Sequence, residues 1–313
     1  MIYFVSDAHL GSRAMTDPAQ HQCRLLSLLQ TWEQDATAVF LLGDIFDFWY
    51  EYLWERYPSD LSSDAAIPRS KRPFAPILRQ LRRMTDRGIE VHFFIGNHDI
   101  WTFGGLERMT GVILHRTPET LTLYGRRCFL AHGDGLVPDG YIASLPAHVR
   151  RKIRRFMRLR AFFHNPVAQF LFRFVPPRLG DAFGYEWARR SRVRELANPF
   201  PYKGEHHEEL VLFAKQLDAK NREHIPTPPS QVNKEDSLTQ SPPSQANKED
   251  SLTQSPPSKG GRGDSLYIFG HRHIELDLLL PSSSRVLILG DFFRQFTYAY
   301  MDDKGCLTLS ACQ

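Results

Sequence analysis

No run of 18 apolar residues occurs anywhere in the 313 residues, so nothing reads as a membrane-spanning helix. Cysteine is scarce. Cys23, Cys128, Cys306 and Cys312 are scattered, with no C-x-x-C pair, which argues against a disulfide framework or a thiolate metal site and fits reduced thiols. A strong charge of one sign is also missing: 39 Lys and Arg against 35 Asp and Glu leave +4. The opening MIYFVSD has neither the charged leader nor the apolar h-region of a secretory signal, so a cytoplasmic protein is expected. Against these absences, 42% hydrophobic residues provide for a substantial core, and the length suits one large α/β domain or two smaller ones.

Apolar β-forming runs alternate with helical spacing along the first hundred residues. IYFVSD (2–7), AVFLLGD (38–44) and IEVHFFIGN (89–97) read as buried strands; 19–34 and 73–87 read as helices, with Gly88 as a C-cap. TLTLYG and RCFLAHGD read as a hairpin around Gly125-Arg126, and 266–273, 275–280, 285–292 and 296–302 are strand-like. Such alternation predicts an α/β sandwich with helix-covered sheets.

Two segments break the alternation. Residues 141–200 are helical, basic and aromatic, and read as an insertion. Residues 226–265 are low in complexity: PSQVNKEDSLTQSP (229–242) is followed by PSQANKEDSLTQSP (243–256), differing only at Val232 and Ala246. One leucine per copy gives no apolar face to stack, so a disordered surface insertion is expected, leading from a helix at 208–221 to the strand at 266.

Polar motifs end five of the apolar runs: D-x-H (Asp7, His9), G-D-x-x-D (Gly43, Asp44, Asp47), G-N-H-D (Gly96 to Asp99), H-G-D (His132 to Asp134) and G-H-x-H (Gly270 to His273). A single one means little, because a histidine after a strand is commonly an ordinary hydrogen-bonded residue. Five in succession, each at a strand end, point to a site at the edge of an α/β sheet. Carboxylate, amide and imidazole donors without thiolate suit two divalent ions such as Mn²⁺, Fe²⁺, Zn²⁺ or Mg²⁺. One carboxylate must bridge ions roughly 3.5–4 Å apart, and Asp44 is the best candidate. Glycines in GD, GN and GH allow sharp turns close to the ions.

The order and spelling of these motifs resemble the calcineurin-like metallophosphoesterase superfamily from residue 2 to about 300, outside the low-complexity insertion. The resemblance implies a four-layer α/β/β/α sandwich, here a single domain over 1–313 with a helical lid insertion at 141–200. It implies one metal held by Asp7, His9, Asp44 and His273, and another by Asp44, Asn97, His132 and His271. By the same resemblance His98 contacts phosphoryl oxygens or protonates the leaving group, and Asp99 orients it. Two cations lower the pKa of a bridging water, so hydroxide attack on a phosphate ester or anhydride is the expected chemistry.

The insertion bears on the substrate. From His148 to Arg160 it carries seven basic residues and no acid, interleaved with Ile153, Phe156 and Met157. Asn165-Pro166 opens a further helix by cap and N1 rules. This stretch reads either as a hairpin packing its aromatics with a solvated basic face, or as an amphipathic lid lying on an anionic bilayer, or as a phosphate-binding face for nucleic acid. The spellings SDAHLGS (6–12), LLGDIFDFWYEY (41–52), GNHDIW (96–101), LAHGDGL (130–136), FGYEWARRSR (183–192) and GHRHIELDL (270–278) resemble the UDP-2,3-diacylglucosamine pyrophosphohydrolases of lipid A synthesis, in the branch found in Bacteroidetes. That implies cleavage of a UDP-linked diacylated sugar to UMP and 2,3-diacylglucosamine 1-phosphate, with Mn²⁺ as the metal. The basic amphipathic stretch 148–174 is then expected to attach peripherally to the inner membrane of a Gram-negative bacterium, and because large apolar residues break the basic cluster no nucleic acid is expected. The resemblance also implies substrate contacts from Asp139, Tyr141, Arg189, Ser191 and Arg192. Proteobacterial members carry Arg where this chain has His98, which leaves open whether the substrate is identical; another nucleotide or phospholipid substrate is the alternative within the fold, and a non-catalytic scaffold, which would be expected to lose metal ligands that are all present here, is the alternative outside catalysis.

Overall fold

The computed structural model describes residues 1–197, 201–223 and 265–312. Its strands, in chain order, are β1 (Ile2–Val5), β2 (Ala38–Leu42), β3 (Glu90–Phe94), β4 (Ile113–His115), β5 (Glu119–Leu123) and β6 (Arg126–Ala131). After a helical stretch follow β7 (Ser265–Phe269), β8 (Glu275–Leu279), β9 (Arg285–Leu289), β10 (Thr297–Met301) and β11 (Leu307–Ala311). The helices are α1 (Pro18–Trp32), α2 (Ala75–Asp86), α3 (Gly105–Thr110), α4 (Tyr141–Ser144), α5 (Ala147–Phe163), α6 (Pro166–Phe172), α7 (Pro177–Ala197) and α8 (Glu209–Glu223). The low-complexity segment with its tandem repeat lies outside the described residues.

Six strands form one sheet in the order β11-β10-β1-β2-β3-β4, and five form a second in the order β5-β6-β7-β9-β8. Strand alternation divides their side chains into layers. Phe4, Phe40 and Leu42 from the first sheet meet Leu130, Ile268 and Leu287 from the second in a dry layer between the sheets. The alternate residues Val5, Val39, Leu41 and Phe93 face outward onto Leu25, Leu29, Trp32 and Leu81 of α1 and α2. On the far side Tyr267, Phe269, Val286 and Ile288 pack on Leu210, Val211 and Ala214 of α8. The result is the expected α/β/β/α sandwich. β2 is buried along its whole length, as a parallel strand covered on both faces must be, which is why it reads as an unbroken apolar run. Each fully buried Leu or Phe contributes about 1.5–3 kcal/mol.

The structure adds three short elements to those the sequence predicts, α3, β4 and β11; β4 has three residues, too few to display a period. The hairpin turns one residue earlier than expected, on Tyr124 (φ 45°) and Gly125 (φ 77°), the positive pair that a two-residue turn matching strand twist requires. Asn165 does cap α6, accepting from the backbone N–H of Val167 (2.9 Å) and Ala168 (3.1 Å).

β1, β2 and β3 run parallel in the first sheet, and β6, β7 and β9 run parallel in the second. The loops carrying Asp7 and His9, Asp44, Asn97 and His98, His132, and His271 and His273 therefore leave the carboxyl ends of parallel strands. Helices α4 to α7 are inserted directly after the H-G-D loop. No helix among the described residues is long and apolar enough to cross a membrane.

Candidate active site

Five of the side chains expected as ligands sit on backbone in the left-handed region: Asp7 (φ 51°), His9 (45°), Asp44 (51°), His271 (67°) and His273 (51°). Non-glycine residues adopt that conformation at a cost, and only a surrounding structure that over-determines it keeps them there. The strand ends supply that restraint: His9 N donates to Asp44 O (2.9 Å) and Asp7 N to Gly43 O (3.0 Å), so the first two loops are tied together. Gly96 and Gly270 lie against the Asp44 and Asp7 carboxylates so closely that a Cβ at either position would collide with them.

Asp7 and Asp44 are fully shielded from water and stand among the histidines. His273 Nε2 lies 2.9 Å from Asp7 Oδ1 and 3.3 Å from His9 Nε2. His132 donates Nδ1–H to Leu42 O (2.9 Å), which turns Nε2 inward, 3.4 Å from both Asp44 Oδ2 and Asn97 Oδ1. Within each of three groups (Asp7, His9 and His273; Asp7, Asp44 and His132; His9, Asp44 and His98) the donor atoms lie within 4.8 Å of one another. Asp7 and Asp44 each belong to two of these groups, so the clusters are joined through carboxylates. His98, expected not to bind metal, falls within one of them. The His271 ring instead packs edge-on against His132, with centroids 5.1 Å apart.

Electrostatics make this a place for positive charge. Burial opposes ionisation of Asp44, yet the His132 and His98 imidazoles outweigh it and hold the carboxyl well below its usual range. Burial likewise pushes His132 down, but the facing Asp44 carboxylate lifts it well above its usual value. His132 Nε2 thus points at oxygen acceptors that need a cation between them, a proton or a metal ion. His271 is pushed down to about 4 by burial and by His132, which outweigh the nearby carboxylates of Asp134, Asp44 and Asp7. Oxygen and imidazole donors on two joined carboxylates fit a two-metal site of hard or borderline divalent ions.

Other expected residues are placed differently. Asp99 is fully buried and its carboxylate accepts from the backbone N–H groups of Gly96 and Ile45, bracing the loops; it does not orient His98 directly. That task falls to the carbonyl of Asp47, 2.7 Å from His98 Nδ1. Asp139 pairs with Lys220 (2.6 Å) and Tyr141 OH meets Glu209 (3.3 Å), so both are engaged with α8. Arg189 makes a two-bond pair with Glu186, at 2.8 Å each. Ser191 and Arg192 lie on α7, and Arg192 reaches the histidines, with Nη2 3.2 Å from His98 Nε2.

Beside the centre opens a cavity of about 410 Å³, walled on the sandwich side by residues outside the five motifs. Phe48, Tyr50 and Trp101 form that wall, and Phe163, Phe172, Phe183 and Trp187 of α5 to α7 close it; Asn97 and His98 line its inner end. Trp101 stacks on Tyr50 (5.3 Å) and meets Phe163 (5.6 Å) and Phe172 (5.3 Å) edge-on. The aromatic run at 48–52 was the available signal. Glu51 in it accepts from the N–H groups of Phe103, Gly105 (2.7 Å) and Leu106 (2.7 Å), and buried Lys71 donates to Tyr50 O (2.6 Å), fixing the run to the neighbouring loops.

No family model matches the chain. It is 33% identical over 311 residues to a UDP-2,3-diacylglucosamine hydrolase of Porphyromonas gingivalis, covering 96% of this chain and 94% of that protein. A protein of the same name from Neisseria meningitidis serogroup C is 26% identical over 223 residues, covering 71% of this chain and 79% of the relative. Among solved structures, a dimetal phosphatase from Danio rerio aligns over 96% of this chain and 91% of its own, at 13% identity and a TM-score of 0.41. With the Porphyromonas likeness running nearly end to end and the clustered carboxylates and histidines lying within it, the chain belongs to the UDP-2,3-diacylglucosamine hydrolase family of metallophosphoesterases.

Proposed function

We propose that this protein hydrolyses the pyrophosphate of UDP-2,3-diacylglucosamine to UMP and 2,3-diacylglucosamine 1-phosphate. The carrying observation is the aromatic cavity, whose inner end is made by Asn97 and His98 of the hydrolytic centre. An apolar cavity of this size next to a few convergent polar groups suits a ligand with an acyl chain and a phosphate at its end. Water-soluble phosphate esters would have no use for it.

In this reading Asp7, His9, Asp44 and His273 hold one divalent ion, and Asp44, Asn97, His132 and His271 the other, Mn²⁺ being the favoured metal. Such ions supply a nucleophile near neutral pH and neutralise the phosphoryl oxygens. The chain's own part is positional. The Leu42 carbonyl fixes the His132 ring, the Asp47 carbonyl fixes His98, and Asp99 braces the loop between them. The helices at 141–197 act as a lid that excludes water from the cavity. Phe156, Leu159, Phe162, Val167, Phe170 and Leu171 are exposed on α5 and α6 beside a row of arginines, and this face rests on the anionic inner-membrane surface from which a lipid substrate is drawn.

The test is hydrolysis by purified protein with Mn²⁺ of UDP-2,3-diacylglucosamine, beside UDP-GlcNAc, CDP-diacylglycerol and bis-p-nitrophenyl phosphate. Strong preference for the diacylated UDP-sugar with release of UMP is the expected result; turnover of the generic diester alone overturns the substrate. Binding to anionic liposomes should fall sharply when Arg150, Arg151, Arg154 and Arg155 become Glu, and unchanged binding overturns the electrostatic attachment.

A further inference from the structure

Helix α5 carries seven Lys and Arg side chains and no acid, and none of its side chains is buried. Like charges at helical spacing repel, and few buried contacts leave such a helix free to lift from the fold. Arg160 departs from this pattern. Its Nε donates to Asp134 Oδ2 at 2.6 Å, and among the described residues it is the one basic side chain of α5 that meets a carboxylate. Asp134 ends the H-G-D motif, two positions after His132, and its side chain is only 10% exposed. Gly135 follows at φ 75°, so close to the guanidinium that a Cβ there would stand 2.8 Å from Arg160 Nε. The pair borders a small cavity of about 60 Å³ that His132 and His164 also line.

We propose that Arg160 is a positioning residue that latches the inserted helices to the hydrolytic centre: through Asp134 it holds α5, and with it the cavity wall at Phe163, against the loop that carries His132. A pair of exposed ions would do little of this, being screened by water. Here the acid is nearly dry. Removing Arg160 leaves a shielded carboxylate without its counter-ion, a cost that opening of the helix relieves by admitting water.

A purely local pair looks different. Arg82 and Asp86 meet at 2.8 Å within one turn of α2 and restrain nothing beyond that helix. Arg160 and Asp134 stand 26 positions apart, one on an inserted helix and the other on a sheet-edge loop. Phe163, three residues after Arg160, lies on the same side of α5 and forms part of the cavity wall, its ring 5.6 Å from Trp101. Where Arg160 lands therefore sets how far that wall stands from Asn97 and His98 at the inner end. This role rests on the reading of the centre as hydrolytic and of the helices as its lid; it adds that the lid is seated on a loop of the centre itself.

The experiment uses full-length, Mn²⁺-loaded protein without vesicles. Wild type is compared with Arg160→Ala, Arg160→Lys, Asp134→Asn, the pair Asp134→Asn with Arg160→Ala and, as a control on the exposed side of α5, Arg158→Ala. Three quantities are measured: amide hydrogen exchange across α5 and across β2 and β9, bound Mn²⁺ per chain, and calorimetric affinity for monomeric dodecyl phosphate. Arg160→Ala is expected to speed exchange across α5 about tenfold or more, the loss of one partner of a largely shielded pair, with β2, β9 and Mn²⁺ content unchanged. Dodecyl phosphate, which offers one chain and one phosphate, should bind several-fold more weakly. Arg160→Lys should recover part of both effects, and decides the matter should the alanine variant fail to fold. The combined variant should exchange no faster than Arg160→Ala alone, and Arg158→Ala should exchange as wild type does. Wild-type exchange across α5 in both Arg160 variants overturns the latch, as does exchange that quickens equally in β2 and β9, or weaker binding that only follows lost Mn²⁺. Turnover of UDP-2,3-diacylglucosamine by the wild type, run alongside, tests the substrate separately, because neither exchange nor dodecyl phosphate involves a nucleotide.

Discussion

The loops at the sheet edge and the helices that cover them are built on opposite principles. At the edge, Asp7, His9, Asp44 and His132 are almost wholly buried, and five residues there accept left-handed backbone because every neighbouring group is fixed. In the cover, α5 has no fully buried side chain among the described residues, and large apolar residues of α6 and α7 face outward. The difference teaches where chemistry and specificity reside. A centre that holds charge in a low-dielectric setting tolerates little movement, whereas the proposed lipid substrate calls for a surface that keeps apolar area available.

The largest contrast should come from the centre. Asp44→Ala and His132→Ala should each abolish hydrolysis of every phosphoester tried, and chelation should do the same to the wild type until Mn²⁺ is restored; near-wild-type rates in either variant would remove the metal assignment. The cover should behave otherwise. Phe183→Ala combined with Trp187→Ala should raise KM for UDP-2,3-diacylglucosamine roughly tenfold or more by shrinking the apolar wall, while leaving bis-p-nitrophenyl phosphate turnover nearly untouched. Equal losses on both substrates would erase the distinction between the two regions.

Stability should divide the same way. Leu287→Ala, between the sheets, is expected to cost about 2–5 kcal/mol in denaturant unfolding, whereas Phe156→Ala on exposed α5 should stay within about 0.5 kcal/mol. Comparable losses would mean that α5 is packed more tightly than its exposure indicates. The smallest effect concerns Lys71, fully buried under the aromatic wall and pushed by that burial from 10.5 down to about 8. Below that value the ammonium is carried into the fold at a cost; as pH rises from about 8 toward 10 the folded state sheds its proton first, so Lys71 should make stability rise with pH. Lys71→Met should flatten that part of the melting profile, and an unchanged slope would assign it to other groups.

Much of this was readable from residues in order. The buried parallel strands were visible because a strand covered on both faces has no polar alternation to hide it, and their ends were marked by the Asp and His motifs. Asp47 stood in such a motif without a role, since its carbonyl turned to His98 and its carboxylate near His9 and Arg192 are placements that spacing does not reveal. The resemblance implied Asp99 as a partner orienting His98, but its carboxylate turns back to Gly96 and Ile45.

The sequence by itself determined the α/β layering, the family and the set of polar residues at the strand ends, because these depend on period, composition and local spelling. Only the tertiary structure decided which of them meet. His273 comes within 2.9 Å of Asp7 from 266 positions away, and Arg192 reaches His98 from an inserted helix 94 positions on. Such contacts are set by how two sheets stack and where an inserted helix lands, and no local rule of sequence fixes either.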